Sequence, residues 1–191
     1  MAKRSNTRSH IVRMATDLYV DRGFNGFSYQ DISTPLGVKN AAIHYHYATK
    51  GDLGVAIIDR YREILRKRTG DFMEHGCDPV GQLDAYLRFI RDGYVKDGSI
   101  CPMGILAADY HTVPEQMRPH AELLVHEMLA WLTRVLEEGR NQGLFFFNGP
   151  AGAKAAVVKS CLQGGAQLAR ISGVKVLDQV IEQVRRDLGL G

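Results

Sequence analysis

The chain has 191 residues, and at about 100 to 200 residues per domain that allows one compact domain or a small domain joined to a larger one. Its 45% hydrophobic and 24% charged residues exclude disordered, collagen-like and disulfide-knot classes, and its three cysteines, Cys77, Cys101 and Cys161, are widely spaced, form no CxxC and read as reduced thiols. Net charge is only +3, but residues 1–50 carry seven lysines and arginines against three aspartates, whereas the remainder is slightly acidic, so the basic quarter is what a segment meeting polyphosphate would show.

The hydrophobic pattern is helical nearly throughout. Ile11, Met14, Ala15, Leu18 and Tyr19 recur on one helix face, which Gly23 and Gly26 terminate. Two short segments follow, Ser28 to Leu36 and Asn40 to Tyr47, separated by Gly37-Val38-Lys39. Ser28-x-x-Asp31 reads as a capping box, and Thr49-x-x-Asp52 repeats it to open a helix through Leu53, Ile57, Tyr61 and Leu65 that meets breakers around Gly70. Val80, Leu83, Leu87, Ile90 and Tyr94 form the next stripe. Cys101 to Tyr110 is short, Glu115 to Asn141 is long, and Ala151 to Ser172 and Val176 to Leu188 complete an all-α chain of about nine helices with no convincing strand. No apolar run approaches the roughly 18 to 20 residues of a membrane span, and no signal-peptide core follows Met1, so a cytoplasmic protein without a membrane partner is expected.

Residues 28–47 have helix-turn-helix spacing. Ile32, Leu36, Ile43 and Tyr47 would be buried, Ser33 is small where the two helices approach, and Gly37 can take the left-handed conformation that leaves the first helix. Lys39, Asn40, Ala41, His44 and Tyr45 are left outward. Donors at the start of such a helix suit the major groove, where Lys and Asn read base edges and Ala touches a thymine methyl. Ser28 and Tyr29, at a helix N-terminus, suit phosphates. A packed corner of any all-α domain would have the same spacing. His44 and His46, two apart on a helix, face different ways and do not share a metal ion easily, so no metal is expected.

The run from Gly23-Phe24 through Ser28-Tyr29-Gln30-Asp31-Ile32 to Leu36-Gly37-Val38, then Ala42-Ile43-His44-Tyr45-His46-Tyr47 and Lys50-x-x-Leu53, resembles the TetR family of bacterial transcriptional regulators over roughly residues 7 to 60. The resemblance implies that Ser28, Tyr29, His46 and Lys50 hold phosphates while Gln30, Lys39, Asn40, Ala42, His44 and Tyr45 face bases, with Lys3 and Arg4 as an arm. It departs in two places: Lys39-Asn40 stands where Ser-Lys is frequent, and Pro35 stands where Ala is usual and should bend or end the first helix near Thr34.

The resemblance further implies a helix-turn-helix DNA-binding domain over residues 1–50, and over 51–191 a helical ligand-binding and dimerisation domain. The expected function is a homodimeric repressor that binds a palindromic operator in double-stranded DNA and is released by a small-molecule inducer or electrophile. Pocket candidates are Tyr86, Phe89, Cys101, Met103, Leu106, Tyr110, His111, Met128 and Trp131, although such a stripe is also ordinary core. Cys101, in Ser99-Ile100-Cys101-Pro102, stands at a helix start and is similar to the turn of TetR regulators that sense electrophiles or oxidants; an inert thiol is the competing reading. The last two helices would pair across a twofold through Val157, Cys161, Gly164, Gly165, Leu168, Val180, Ile181 and Val184. The alternative from another class is a small all-α cytosolic enzyme with Cys101 as nucleophile. No catalytic elbow, phosphate loop, HExxH or carboxylate pair supports it, so no catalytic residue is assigned and no cofactor is expected.

Overall fold

Stripes of apolar side chains at three- and four-residue spacing fold here into helices that bury those stripes. The structure, a computed structural model, describes residues 2–74, 78–97 and 101–191, excepting the side chains of 2–6, 72–74 and 96–97. The Lys3 and Arg4 side chains, Cys77 and the Ser99-Ile100 part of the turn lie outside the described residues. Among the described residues there are nine α-helices and no strand: α1 (Ala2–Arg22), α2 (Tyr29–Leu36), α3 (Asn40–His46), α4 (Lys50–Glu74), α5 (Pro79–Asp97), α6 (Pro102–Asp109), α7 (Arg118–Asn141), α8 (Ala151–Ser172) and α9 (Val174–Arg186). A 3-10 turn, Glu115–Met117, leads into α7, which therefore starts three residues later than its hydrophobic spacing suggests.

Two helix ends differ from expectation for identifiable reasons. The first helix of the motif does not stop near Thr34: α2 runs to Leu36 with Pro35 inside it. Its end is set by Gly37, at φ +64°, which lets the Gly37 N–H reach the Thr34 carbonyl (3.2 Å) and the Val38 N–H the Ser33 carbonyl (3.1 Å), a Schellman closure. Near the end of so short a helix, Pro35 forfeits a single backbone donor. The helix α4 likewise passes Gly70 and continues to Glu74, since one helical glycine costs only about 1 kcal/mol against alanine.

The chain divides into two compact units. One comprises Met1–Glu63 and Pro102–Leu124, the other Ile64–Cys101 and Val125–Gly191, and both α4 and α7 run from one into the other. In the first unit, Ile11, Ala15 and Tyr19 of α1, Ile32 of α2, Ile43 of α3 and Leu53, Ile57 and Ile58 of α4 are buried. Each Ile or Leu withdrawn from water stabilises the fold by about 1.5–3 kcal/mol. Gly54 admits close neighbours: a Cβ there would lie 2.4 Å from Met117 Sδ and 2.8 Å from the Phe24 ring.

In the second unit Ala166 and Ala169 of α8 and Leu177 of α9 form a buried cluster against which Ile90 and Tyr94 of α5 and Ile181 of α9 pack. The Tyr94 hydroxyl donates to the Ala169 carbonyl (2.6 Å), and ion pairs join Arg91 to Asp178 (2.6 Å) and Arg185 to Asp84. Phe145 is buried against Gly139, where a Cβ would strike its ring at 2.2 Å. Among the described residues no helix is long and apolar enough to cross a membrane.

Candidate nucleic-acid interface

The entry to α2 is fixed by one carboxylate. Both the backbone N–H (2.8 Å) and the hydroxyl (2.6 Å) of Ser28 donate to Asp31 Oδ2, and these two bonds hold the Asp31 carboxyl below its ordinary pKa. At the entry to α4 Thr49 N–H donates to Asp52 Oδ2 (2.8 Å), and Asp52 N–H donates to Thr49 Oγ1 (3.1 Å); the hydrogen bonds that Thr49 makes to the carboxyl, its backbone N–H first, lower the Asp52 pKa. Between them, α3 buries Ile43 on one face. Lys39, Asn40, Ala41, His44 and Tyr45 are exposed on the other.

The exposed row is tied to the rest of the motif. The Ser33 hydroxyl donates to Asn40 Oδ1 (2.5 Å), holding the carbonyl end of that amide against α2. His44 stands edge-on to Tyr29, with ring centroids 4.6 Å apart, and its Nδ1 lies 3.2 Å from the Ala48 carbonyl. His46 is half-buried beside Tyr45, and Ala42 is half-buried as well. Ser28, Tyr29, Gln30, Asn40, His44 and Lys50 line one open depression of about 420 Å³. Residues from α2, α3 and α4 thus meet in one place.

Several side chains that the resemblance assigns to phosphates spend their donors inside the protein. Ser28 donates to Asp31, and the Tyr29 hydroxyl donates to the Tyr47 carbonyl (2.9 Å); burial, then the nearby Asp52 charge, push the Tyr29 pKa up to about 12. The Lys50 ammonium donates to the carbonyls of Phe24 (2.6 Å) and Phe27 (2.5 Å) and lies 4.7 and 4.5 Å from the centres of their rings. Burial pulls its pKa down, opposed by the carboxylates of Asp31 and Asp109.

The pocket candidates fall on both units. In the second, Tyr86, Met128 and Trp131 are buried, with the Tyr86 and Trp131 rings edge to face at 5.2 Å, while Phe89 is exposed beneath the Arg68 guanidinium. Half-buried Cys101 accepts a hydrogen bond at 3.1 Å from the ammonium of buried Lys159, which also donates to Gln163 (3.2 Å). Burial, and secondarily Cys101, raises the pKa of the Tyr86 hydroxyl. In the first unit Met103 is half-buried, Leu106 is buried, Tyr110 donates to Glu122 (3.2 Å) and His111 is exposed.

The candidate pairing residues also divide. Val157, Cys161 and Leu168 form an exposed stripe on α8, and a Cβ on Gly164 would meet nothing within 4 Å. Gly165 instead packs on Val180 of its own chain, a Cβ there lying 3.1 Å from that side chain, and Val184 is buried. Ile181 belongs to the cluster between α8 and α9.

No family model matches the chain. A crystal structure of a TetR-family transcriptional regulator from Agrobacterium tumefaciens shares this fold with a TM-score of 0.92 at 27% identity, covering 97% of this chain and 98% of that one. Over nearly its whole length the chain is similar to this TetR-family regulator. It is also 24% identical over 170 residues to the HTH-type transcriptional repressor NemR of Escherichia coli strain K12, covering 87% of this chain and 85% of that protein. With the HTH-type transcriptional regulator LmrA of Bacillus subtilis strain 168 it shares 25% over 166 residues, 85% of this chain and 86% of that one. In this chain α2, the Gly37 turn and α3 have the arrangement of a helix-turn-helix.

Sequence reasoning missed two side chains that the fold brings to the candidate site residues. Asp109 accepts the backbone N–H of Phe24 at 2.9 Å from 85 positions away, and Lys159 reaches Cys101 across 58. Neither sits in a motif. No spacing rule brings residues together over such distances, so only the folded chain reveals these pairs.

Proposed function

We propose that this chain is a homodimeric TetR-type repressor that lays α3 in the major groove of each half of a palindromic operator. Its DNA-binding domain spans residues 1–50, the remainder binds ligand and dimerises, and it works in the cytoplasm. The observation that carries this reading is the division of α3, with Ile43 buried on one face and Lys39, Asn40, Ala41, His44 and Tyr45 exposed on the other. Cationic and amide donors at the start of an exposed helix suit base edges, and the first N–H groups of α2 suit phosphates. The names of NemR and LmrA support a regulatory role. An exposed apolar stripe, Val157, Cys161 and Leu168, supports an isologous pair, and two reading heads about 34–36 Å apart would match successive major grooves. Selection of bound duplexes from random DNA tests the reading: it expects a palindrome whose affinity falls steeply with salt, and recovery of no preferred duplex contradicts it.

Release by a small molecule, electrophiles included, completes the proposal. The ligand must favour dimers whose heads are wrongly spaced, because equal affinity for both states shifts nothing. Helix α4, common to both units, is the hinge candidate over Asp52 to Lys67. The contact of the Cys101 thiol with Lys159 supports Cys101 as the electrophile's target. Cys101→Ser should bind operator as wild type does yet resist release by N-ethylmaleimide; equal release of both proteins would remove Cys101 from the account.

A further inference from the structure

We propose that Asp109, the last residue of α6, is a positioning residue for DNA reading: it holds the turn between α1 and α2 and so aims the helix-turn-helix. This rests on the repressor reading for its effect on DNA, and on geometry alone for its effect on the turn. The Phe24 peptide is gripped from both sides. Its N–H donates to Asp109 Oδ2 (2.9 Å), and its carbonyl accepts from Lys50 Nζ (2.6 Å). The same ammonium holds the Phe27 carbonyl (2.5 Å), one residue before Ser28, where α2 is capped. The turn therefore hangs between a carboxylate on α6 and an ammonium on α4, and bonds from a backbone group to an ionised side chain are roughly twice as strong as neutral ones.

Other bonds keep the carboxylate in place. The Tyr19 hydroxyl donates to the carbonyl of Pro102, the first residue of α6 (3.0 Å), so α1 holds that helix at its start while Asp109 holds the turn at its end. Asn25 Nδ2 donates to Thr112 Oγ1 (2.8 Å) just beyond. Gly23 leaves room for the carboxylate: a Cβ there would sit 3.0 Å from Asp109 Oδ2. None of the side chains assigned to DNA lies on α6, yet Pro102–Leu124 belongs to the same compact unit as the reading head. A displacement of α6 reaches α2 through the Phe24 amide.

The test uses the full-length chain as Asp109→Ala and Asp109→Asn, with a duplex that the wild type selects from random DNA and an unrelated duplex as control. The Ala variant leaves a backbone donor without its charged acceptor and should lose about tenfold or more in affinity for the selected duplex. Its affinity for the control should stay within about twofold, because phosphate attraction is untouched. The Asn variant keeps a carbonyl acceptor and should stay within about threefold of wild type on both. Hydrogen exchange gives a reading independent of DNA: in the Ala variant, peptides covering residues 24–36 should exchange faster while those of α9 do not change. A folded Ala variant with wild-type discrimination, or one whose exchange rises equally in every helix, overturns the proposal. Should the wild type select no duplex at all, the repressor reading and this residue's part in it both fall, while faster exchange confined to 24–36 would still show Asp109 holding the turn.

Discussion

Asp31 and Asp52 occupy equivalent places, each three residues after a helix-entry hydroxyl, and each has its carboxyl pKa lowered chiefly by hydrogen bonds from that residue. A carboxylate whose pKa is lower folded than unfolded contributes stability above its unfolded value, about 3.9 for Asp, and that contribution is lost as pH falls through the folded value. The urea midpoint should therefore drop as pH is lowered below about 4. In an Asp31→Asn, Asp52→Asn double variant that acid limb should be flatter, and a limb as steep as wild type would mean that other groups govern acid sensitivity. These two caps were legible in the sequence because a capping box is a three-residue pattern. Lys50 was legible only as a cation: its proximity in the fold to the Phe24 and Phe27 carbonyls depends on α4 returning to the α1–α2 turn.

Helices α2 and α3 were readable because their determinants are local: Ile32 and Ile43 are buried, and Gly37 ends α2 in the left-handed conformation. Pro35 misled because it is the louder local signal, yet the energy of ending a helix lies in satisfying its last carbonyls, which Gly37 and Val38 do. Gly37→Ala isolates that contribution, since a Cβ there would meet nothing within 4 Å and the cost is purely that of φ +64°. It should destabilise the protein by about 1–2 kcal/mol, seen as a lower urea midpoint at unchanged slope. No change would mean that the turn relaxes to another conformation. Helices α8 and α9 show the opposite limit. Their apolar positions were plain, but which ones serve the chain's own packing could not be read from periodicity: Gly165 and Val184 face inward, Val157 and Leu168 outward.

At the scale of the molecule, the outward stripe on α8 has to meet a second copy if two reading heads are to share one operator. Val157 and Leu168 are 55% and 54% exposed, so a carboxylate at either position suits a monomer and opposes a pair. A Val157→Asp, Leu168→Asp variant should dissociate about a hundredfold more readily in sedimentation equilibrium. A variant that stays as associated as wild type would locate the interface elsewhere. Composition and periodicity announced an all-α chain, and local motifs announced the reading head. The division into two units, with Pro102–Leu124 joined to that head, rests on contacts between distant positions and was not legible.

The central claim is that the exposed face of α3 reads bases. Fluorescence anisotropy of a selected palindromic duplex, against a scrambled duplex of equal length, tests it with wild type and Asn40→Ala. The account predicts two chains per duplex, a steep loss of affinity with salt, and a loss of about tenfold for Asn40→Ala on the palindrome alone. Equal binding of both duplexes by the wild type, or an Asn40→Ala protein that discriminates between them unchanged, would contradict it.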